Sequence, residues 1–155
     1  MEKIKQTLFI CTGNFFRSRY AEAYANYRGL LSESRGLKIK LLDDEPEKLQ
    51  EYSFQRKNMV SSFCGKRFQK KGLDIHDYLR PKREALTEDD LKAHKTIVAL
   101  DKSEHHKMMK EQFPTYADKI IYWEINDYHP ETNHDYDNIL ERIEKLVDNL
   151  IKQTT

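Results

Sequence analysis

The sequence predicts an α/β fold: a single domain over residues 1–155 with a four-stranded parallel sheet flanked by helices. Three observations lead there. Four short apolar or alternating runs read as strands, namely Thr7–Ile10, Ser34–Ile39, Lys95–Asp101 and Lys119–Ile125, and stretches of helical spacing separate them. Strands that alternate with helices form β-α-β units, so the sheet is parallel. At 155 residues the chain buries a substantial core without needing a second domain.

The first strand leads into the most informative stretch. Thr7–Ile10 is apolar, stops at Cys11, turns through Gly13-Asn14 and reaches Arg17-Ser18, where a helical pattern begins. A strand, a tight loop and a helix N-terminus together make an anion cradle, with backbone N–H groups pointing inward and the positive end of the helix dipole beneath them. Gly13 permits close backbone approach, and Asn14 tolerates a left-handed conformation. The amides of Thr12, Gly13, Asn14, Phe15 and Phe16 would line the cradle, and the Arg17 guanidinium would grip two oxygens of a bound dianion. Such positive surroundings favour a thiolate at Cys11, a nucleophile aimed at phosphorus, and Ser18 can direct its hydroxyl to that sulfur. Arg17 and the loop amides supply the charge that phosphoryl transfer needs, so no metal and no cofactor is expected.

The first helix spans Arg17 to Leu31, with Tyr20, Ala21, Tyr24, Tyr27 and Leu31 at helical spacing. The second strand follows at Ser34–Ile39. Leu41–Asn58, with its acidic run Asp43-Asp44-Glu45, reads as a solvated loop, although Tyr52 and Phe54 offer an aromatic wall. From Met59 to Lys71 helical spacing returns and Gly72 caps it, leaving Cys64 on the apolar face as a packed, inert thiol. Thr87 and Asp90 form a helix-start pair ahead of the strand Lys95–Asp101. His76 reads as a surface histidine, and His105 and His106 have no partner at metal-ligand spacing. After the strand Lys119–Ile125, a final helix opens near Asp135 with Ile139, Ile143, Leu146, Val147 and Leu150 on one face.

Charge and composition narrow the partners. With 27 basic and 26 acidic residues, the net charge gives no basis for nucleic-acid or membrane binding. No apolar run approaches membrane length, and the first six residues lack the apolar core of a signal peptide. Two cysteines make no disulfide framework, so a reducing cytosol is the expected setting. The sequence specifies no oligomeric state.

The stretch Phe9-Ile10-Cys11-Thr12-Gly13-Asn14-Phe15-Phe16-Arg17-Ser18, with Ala21-Glu22-Ala23 after it, resembles the N-terminal signature of the low-molecular-weight protein tyrosine phosphatases. The resemblance implies hydrolysis of phosphotyrosine through a phosphocysteine, with a phosphotyrosine-containing protein or peptide as substrate. Two departures stand out: Phe16 where many members carry a second cysteine, and Arg19 where they usually carry proline. Ser34-Arg35-Gly36 resembles the family's Ser-Ala-Gly stretch, which implies that Ser34 braces the loop through hydrogen bonds; an ordinary turn serine is the alternative. Asp101-Lys102-Ser103-Glu104 resembles a turn that starts the next helix, where Asp101 would cap.

The family's general acid follows its last strand, eight residues before an Asp-aromatic pair, and Asp127 with Asp135-Tyr136 reproduces that spacing. The resemblance therefore implies Cys11, Arg17 and Asp127 as the catalytic group. Tyr128 stands where proline is usual after the acid, and Tyr128 and His129 would wall the pocket. A solvated or capping aspartate is the other reading of Asp127. Two different activities fit the same cradle, arsenate reduction and catalytically weak phosphotyrosine binding. The first needs two further relay cysteines, and the chain has only Cys64.

Overall fold

A computed structural model of the chain describes residues 5–14, 16–39, 63–80, 82–125 and 136–154. Its strands are β1 (Lys5–Cys11), β2 (Ser32–Gly36), β3 (His94–Ala99) and β4 (Ile121–Tyr122). Among the described residues the helices are α1 (Arg17–Tyr27), α2 (Gly65–Gln69), α3 (Glu88–Ala93), α4 (Lys102–Gln112) and α5 (Tyr136–Thr154), and a 3-10 turn forms at Ile75–Asp77. The sheet runs β2-β1-β3-β4, and every pair of neighbours is parallel.

Alternation along β1 splits the interior into two layers. Phe9 and Cys11 point to one face, where they join Tyr20, Ala21 and Tyr24 of α1 and Leu140, Ile143 and Val147 of α5. Leu8 and Ile10 point to the other, against Leu91 of α3 and Met109 of α4. The buried face of α5 carries Ile139, Leu140, Ile143, Val147 and Leu150, each contributing roughly 1.5–3 kcal/mol relative to exposure. That docking holds α1 firmly under the loop that Cys11 opens. Leu146, expected on the same face, is only half-buried.

Several boundaries differ from the expectation, each for a local reason. β2 begins at Ser32 because its register on β1 pairs Thr7 with Ser32 and Cys11 with Gly36. Leu37 and Lys38 still donate backbone hydrogen bonds to the Cys11 and Thr12 carbonyls, so the chain continues alongside the loop without being strand. α1 stops at Tyr27, since Gly29 takes a φ of 92° and turns the chain back, leaving Leu31 outside the helix and exposed. β4 is two residues long, because only Ile121 and Tyr122 pair with Val98 and Ala99. Of the helix expected from Met59 to Lys71, residues 59–62 lie outside the described residues, and α2 covers Gly65–Gln69. Thr87 and Asp90 form a reciprocal capping box. Asp101 precedes α4 but accepts from the Ser103 hydroxyl, and its side chain caps no helix N–H. The segment 41–58, with Tyr52 and Phe54, lies outside the described residues.

Candidate active site

Cys11 is the last residue of the central strand β1, flanked on its two sides by β2 and β3. Loops leaving the carboxyl ends of neighbouring parallel strands open a crevice there, which is where such sheets bind ligands. The Cys11 sulfur is buried and has two close polar neighbours: the Asn14 N–H donates to it at 3.3 Å, and the Ser18 Oγ lies 2.9 Å away.

Asn14 organises the loop. Its φ is 53°, the only positive value at a non-glycine residue among those described, and asparagine bears this conformation with less strain than most residues. Its Nδ2 donates to Ser18 Oγ at 2.8 Å and to Ser34 Oγ at 2.9 Å, while its Oδ1 accepts from the Glu84 N–H at 3.2 Å. Ser34 passes the chain on, donating to Glu22 Oε1 at 2.6 Å, and Glu22 Oε2 accepts from the Arg80 N–H at 2.6 Å. Burial pushes the Glu22 carboxyl up, with the bonds from Ser34 and Arg80 opposing. Arg83 Nε ties the other side of the loop by donating to the Gly13 carbonyl at 2.9 Å. Gly36 admits this packing, because a Cβ there would lie 3.0 Å from the Thr12 carbonyl oxygen and 2.8 Å from Ile39.

Arg17 opens α1 with its guanidinium 2% exposed. Nη1 donates to the Ile125 carbonyl at 2.9 Å, and Nη2 donates to Glu104 at 3.0 and 3.2 Å. No acidic side chain occupies the first turn of α1, and Phe16 at its N-cap makes no side-chain capping bond. The helix itself therefore sets no carboxylate against its own N-terminus, whose dipole favours an anion. Thr12, whose hydroxyl also donates to Glu104, completes the near wall.

The structure brings Cys11, Thr12, Gly13, Asn14, Phe16, Arg17, Ser18 and Ser34 into one cluster. Phe15, Asp127, Tyr128 and His129 lie outside the described residues. Glu22, Gly36, Glu84, Glu104 and His105 join the site without having been singled out for it. Their partners are distant in sequence, and although the stretches Ala21-Glu22-Ala23, Ser34-Arg35-Gly36 and Asp101-Lys102-Ser103-Glu104 contain Glu22, Gly36 and Glu104, nothing in them marks those residues for the site. Cys64 is fully buried, and burial pushes its thiol far up, against the opposing charge of Arg19. Among the described residues no group of three or more metal-ligating side chains forms.

The profile of the low molecular weight phosphotyrosine protein phosphatase family matches residues 6–155. The chain belongs to that family. Its chemistry is accordingly cysteine-dependent hydrolysis of phosphotyrosine, and phosphorylated proteins are its general class of substrate. Solved structures share the fold of this phosphatase. One is a low molecular weight protein tyrosine phosphatase from T. tengcongensis, 24% identical, covering 96% of this chain and 98% of its own, with a TM-score of 0.62. The Streptococcus pyogenes counterpart is 19% identical over 97% of this chain and 93% of its own, with a TM-score of 0.68. An arginine phosphatase from Geobacillus stearothermophilus is 20% identical over 96% of this chain and 92% of its own, with a TM-score of 0.61. No curated protein matches the sequence. The phosphatase also has no described helix long and apolar enough to cross a membrane.

Proposed function

We propose that Cys11, Arg17 and Asp127 carry out the hydrolysis in two steps. The Cys11 sulfur attacks phosphorus in line while the ester P–O bond breaks, and Asp127 gives its proton to the departing phenolic oxygen. Asp127 then takes a proton from water, which attacks the phosphocysteine; the P–S bond breaks, phosphate leaves and the thiolate returns. Arg17 and the loop amides hold the equatorial oxygens through both steps as a preorganised set of donors.

The observation that carries this reading is the pair of polar contacts on the Cys11 sulfur, the Asn14 N–H and the Ser18 hydroxyl, beside a buried guanidinium. They favour negative charge on sulfur both as nucleophile and as leaving group. What supports Asp127 is its place in the sequence, two residues after Ile125, whose carbonyl accepts from Arg17. Arsenate reduction by a cysteine relay is disfavoured, since the one other cysteine is sealed in the core with its thiol pushed up. A chemistry that rests on a free thiol suits a reducing compartment such as the cytosol.

Acid-quenched turnover of a phosphotyrosine peptide tests the proposal. The expected result is phosphate trapped on Cys11 in the native chain, with none trapped and no turnover in Cys11→Ser, which still binds inorganic phosphate. A chain that bound phosphate and released none from the peptide would be a binding module.

A further inference from the structure

We propose that Glu104 is a positioning residue for Arg17: from the first turn of α4 its carboxylate fixes the plane of the guanidinium, and Thr12 and His105 hold that carboxylate in place. The proposal rests on the reading that Arg17 grips the transferring phosphoryl group.

The geometry is a directed chain. The Asp101 N–H donates to His105 Nδ1 at 3.0 Å, so the ring proton sits on Nε2. That nitrogen lies 3.1 Å from Thr12 Oγ1 and 3.6 Å from Glu104 Oε1. Thr12 Oγ1 accepts from the ring and gives its own hydrogen to Glu104 Oε1. Glu104 thus receives a donor from the phosphate loop and the Nη2 of Arg17 at 3.0 Å, with the His105 ring packed beside its Oε1. Burial alone would raise the Glu104 carboxyl, but the His105 bond, the Arg17 charge and the Thr12 bond more than offset it and hold it well below the usual carboxylate range.

Two anchors on different nitrogens define a plane. Nη1 goes to the Ile125 carbonyl and Nη2 to Glu104, so the guanidinium cannot rotate about its long axis without breaking one of them. His105 is fully buried, and Thr12 belongs to the loop itself, so the strap from α4 is rigid and moves with the cradle. Glu104 meets Nη2 with both of its oxygens, at 3.0 and 3.2 Å, while Nη1 donates to the Ile125 carbonyl. A buried guanidinium without such a partner would also carry the full penalty of an uncompensated charge.

The test uses the full chain with p-nitrophenyl phosphate as substrate and inorganic phosphate as inhibitor. In Glu104→Ala, kcat should fall about 10- to 100-fold, somewhat less than the loss of a transition-state donor outright, with KM and the phosphate inhibition constant changing less than about threefold. Glu104→Gln keeps an acceptor for Arg17 and Thr12 and should restore kcat to within about fivefold of the native value. Should Glu104→Ala fail to fold, Thr12→Val breaks the same strap and should lower kcat without raising KM. Tighter phosphate binding with unchanged or higher kcat in Glu104→Ala would identify a competitor for the subsite and overturn the proposal. Equal losses in the alanine and glutamine variants, tracking a drop in Tm, would overturn it as well. The two readings separate cleanly. A native chain that turns over p-nitrophenyl phosphate, with an inactive Cys11→Ser and a fully active Glu104→Ala, sinks only the role of Glu104.

Discussion

The Ser18 hydroxyl lies 2.9 Å from the Cys11 sulfur, and Asn14 Nδ2 donates to the same oxygen at 2.8 Å. A thiolate has no hydrogen to give, so with Cys11 ionised the hydroxyl is the donor to sulfur. The hydroxyl therefore stabilises charge on sulfur when the nucleophile forms and again when the P–S bond breaks.

Ser18→Ala should slow breakdown of the phosphocysteine more than its formation, since the sulfur is the leaving group only in the second step. A hydrogen bond to a charged group is worth about 1.5–3 kcal/mol, which corresponds to a loss of about 10- to 100-fold. Stopped-flow release of nitrophenol should show a burst close to one equivalent, followed by a slow steady state. An unchanged steady-state rate with no burst would assign the hydroxyl to structure alone.

Removal of the acid has a different kinetic signature. Asp127→Asn should reduce kcat on aryl phosphates by about two to four powers of ten, the usual range for a positioned proton donor. Substrates whose phenols are strongly acidic need little protonation and should be affected least. A flat response across such a leaving-group series would move the role elsewhere, and Asp137 is a poor substitute, being exposed and 3.7 Å from Arg67.

The parts of the fold legible in the sequence are those governed by short-range pattern. β1 with its loop, the capping box at Thr87 and Asp90, and the apolar face of α5 all announce themselves through periodicity or spacing. Strand ends were less legible, because β4 is bounded by its pairing with Val98 and Ala99 and not by its own composition. The cluster around Cys11 was readable as a motif, while its support was not. Glu22 reaches Ser34 across 12 positions and Glu104 reaches Arg17 across 87, and no local signal links residues that meet only after the sheet closes.

The left-handed backbone at Asn14 separates two functions of one residue. Asn14→Ala should lose the bonds to Ser18, Ser34 and Glu84 and also incur roughly 1–2 kcal/mol of left-handed strain. Asn14→Gly removes the same bonds without that strain. The glycine variant should therefore recover much of the lost Tm and little of the lost kcat. Matching recovery of both would mean that backbone conformation, not the hydrogen-bond chain, is what the site requires from this residue.

The Glu104 carboxyl gives the protein a stability term that acid removes. Its native value is held below the ordinary 4.5 by the His105 bond, Arg17 and Thr12, against the opposing effect of burial. A group depressed in the native state stabilises it above the unfolded value, and that stability drains away as pH falls from there through the folded value. In Glu104→Gln the term is absent at every pH. The Tm difference between native and Glu104→Gln chains should thus be largest near neutrality and shrink below about pH 4.5, where the unfolded chain binds the extra proton. Glu22, pushed up by burial, works in the opposite sense as pH rises, so the comparison must be made between these two chains and not on the native curve alone. A Tm difference that stayed constant from pH 7 to pH 3 would show that Glu104 contributes packing and no charge pairing.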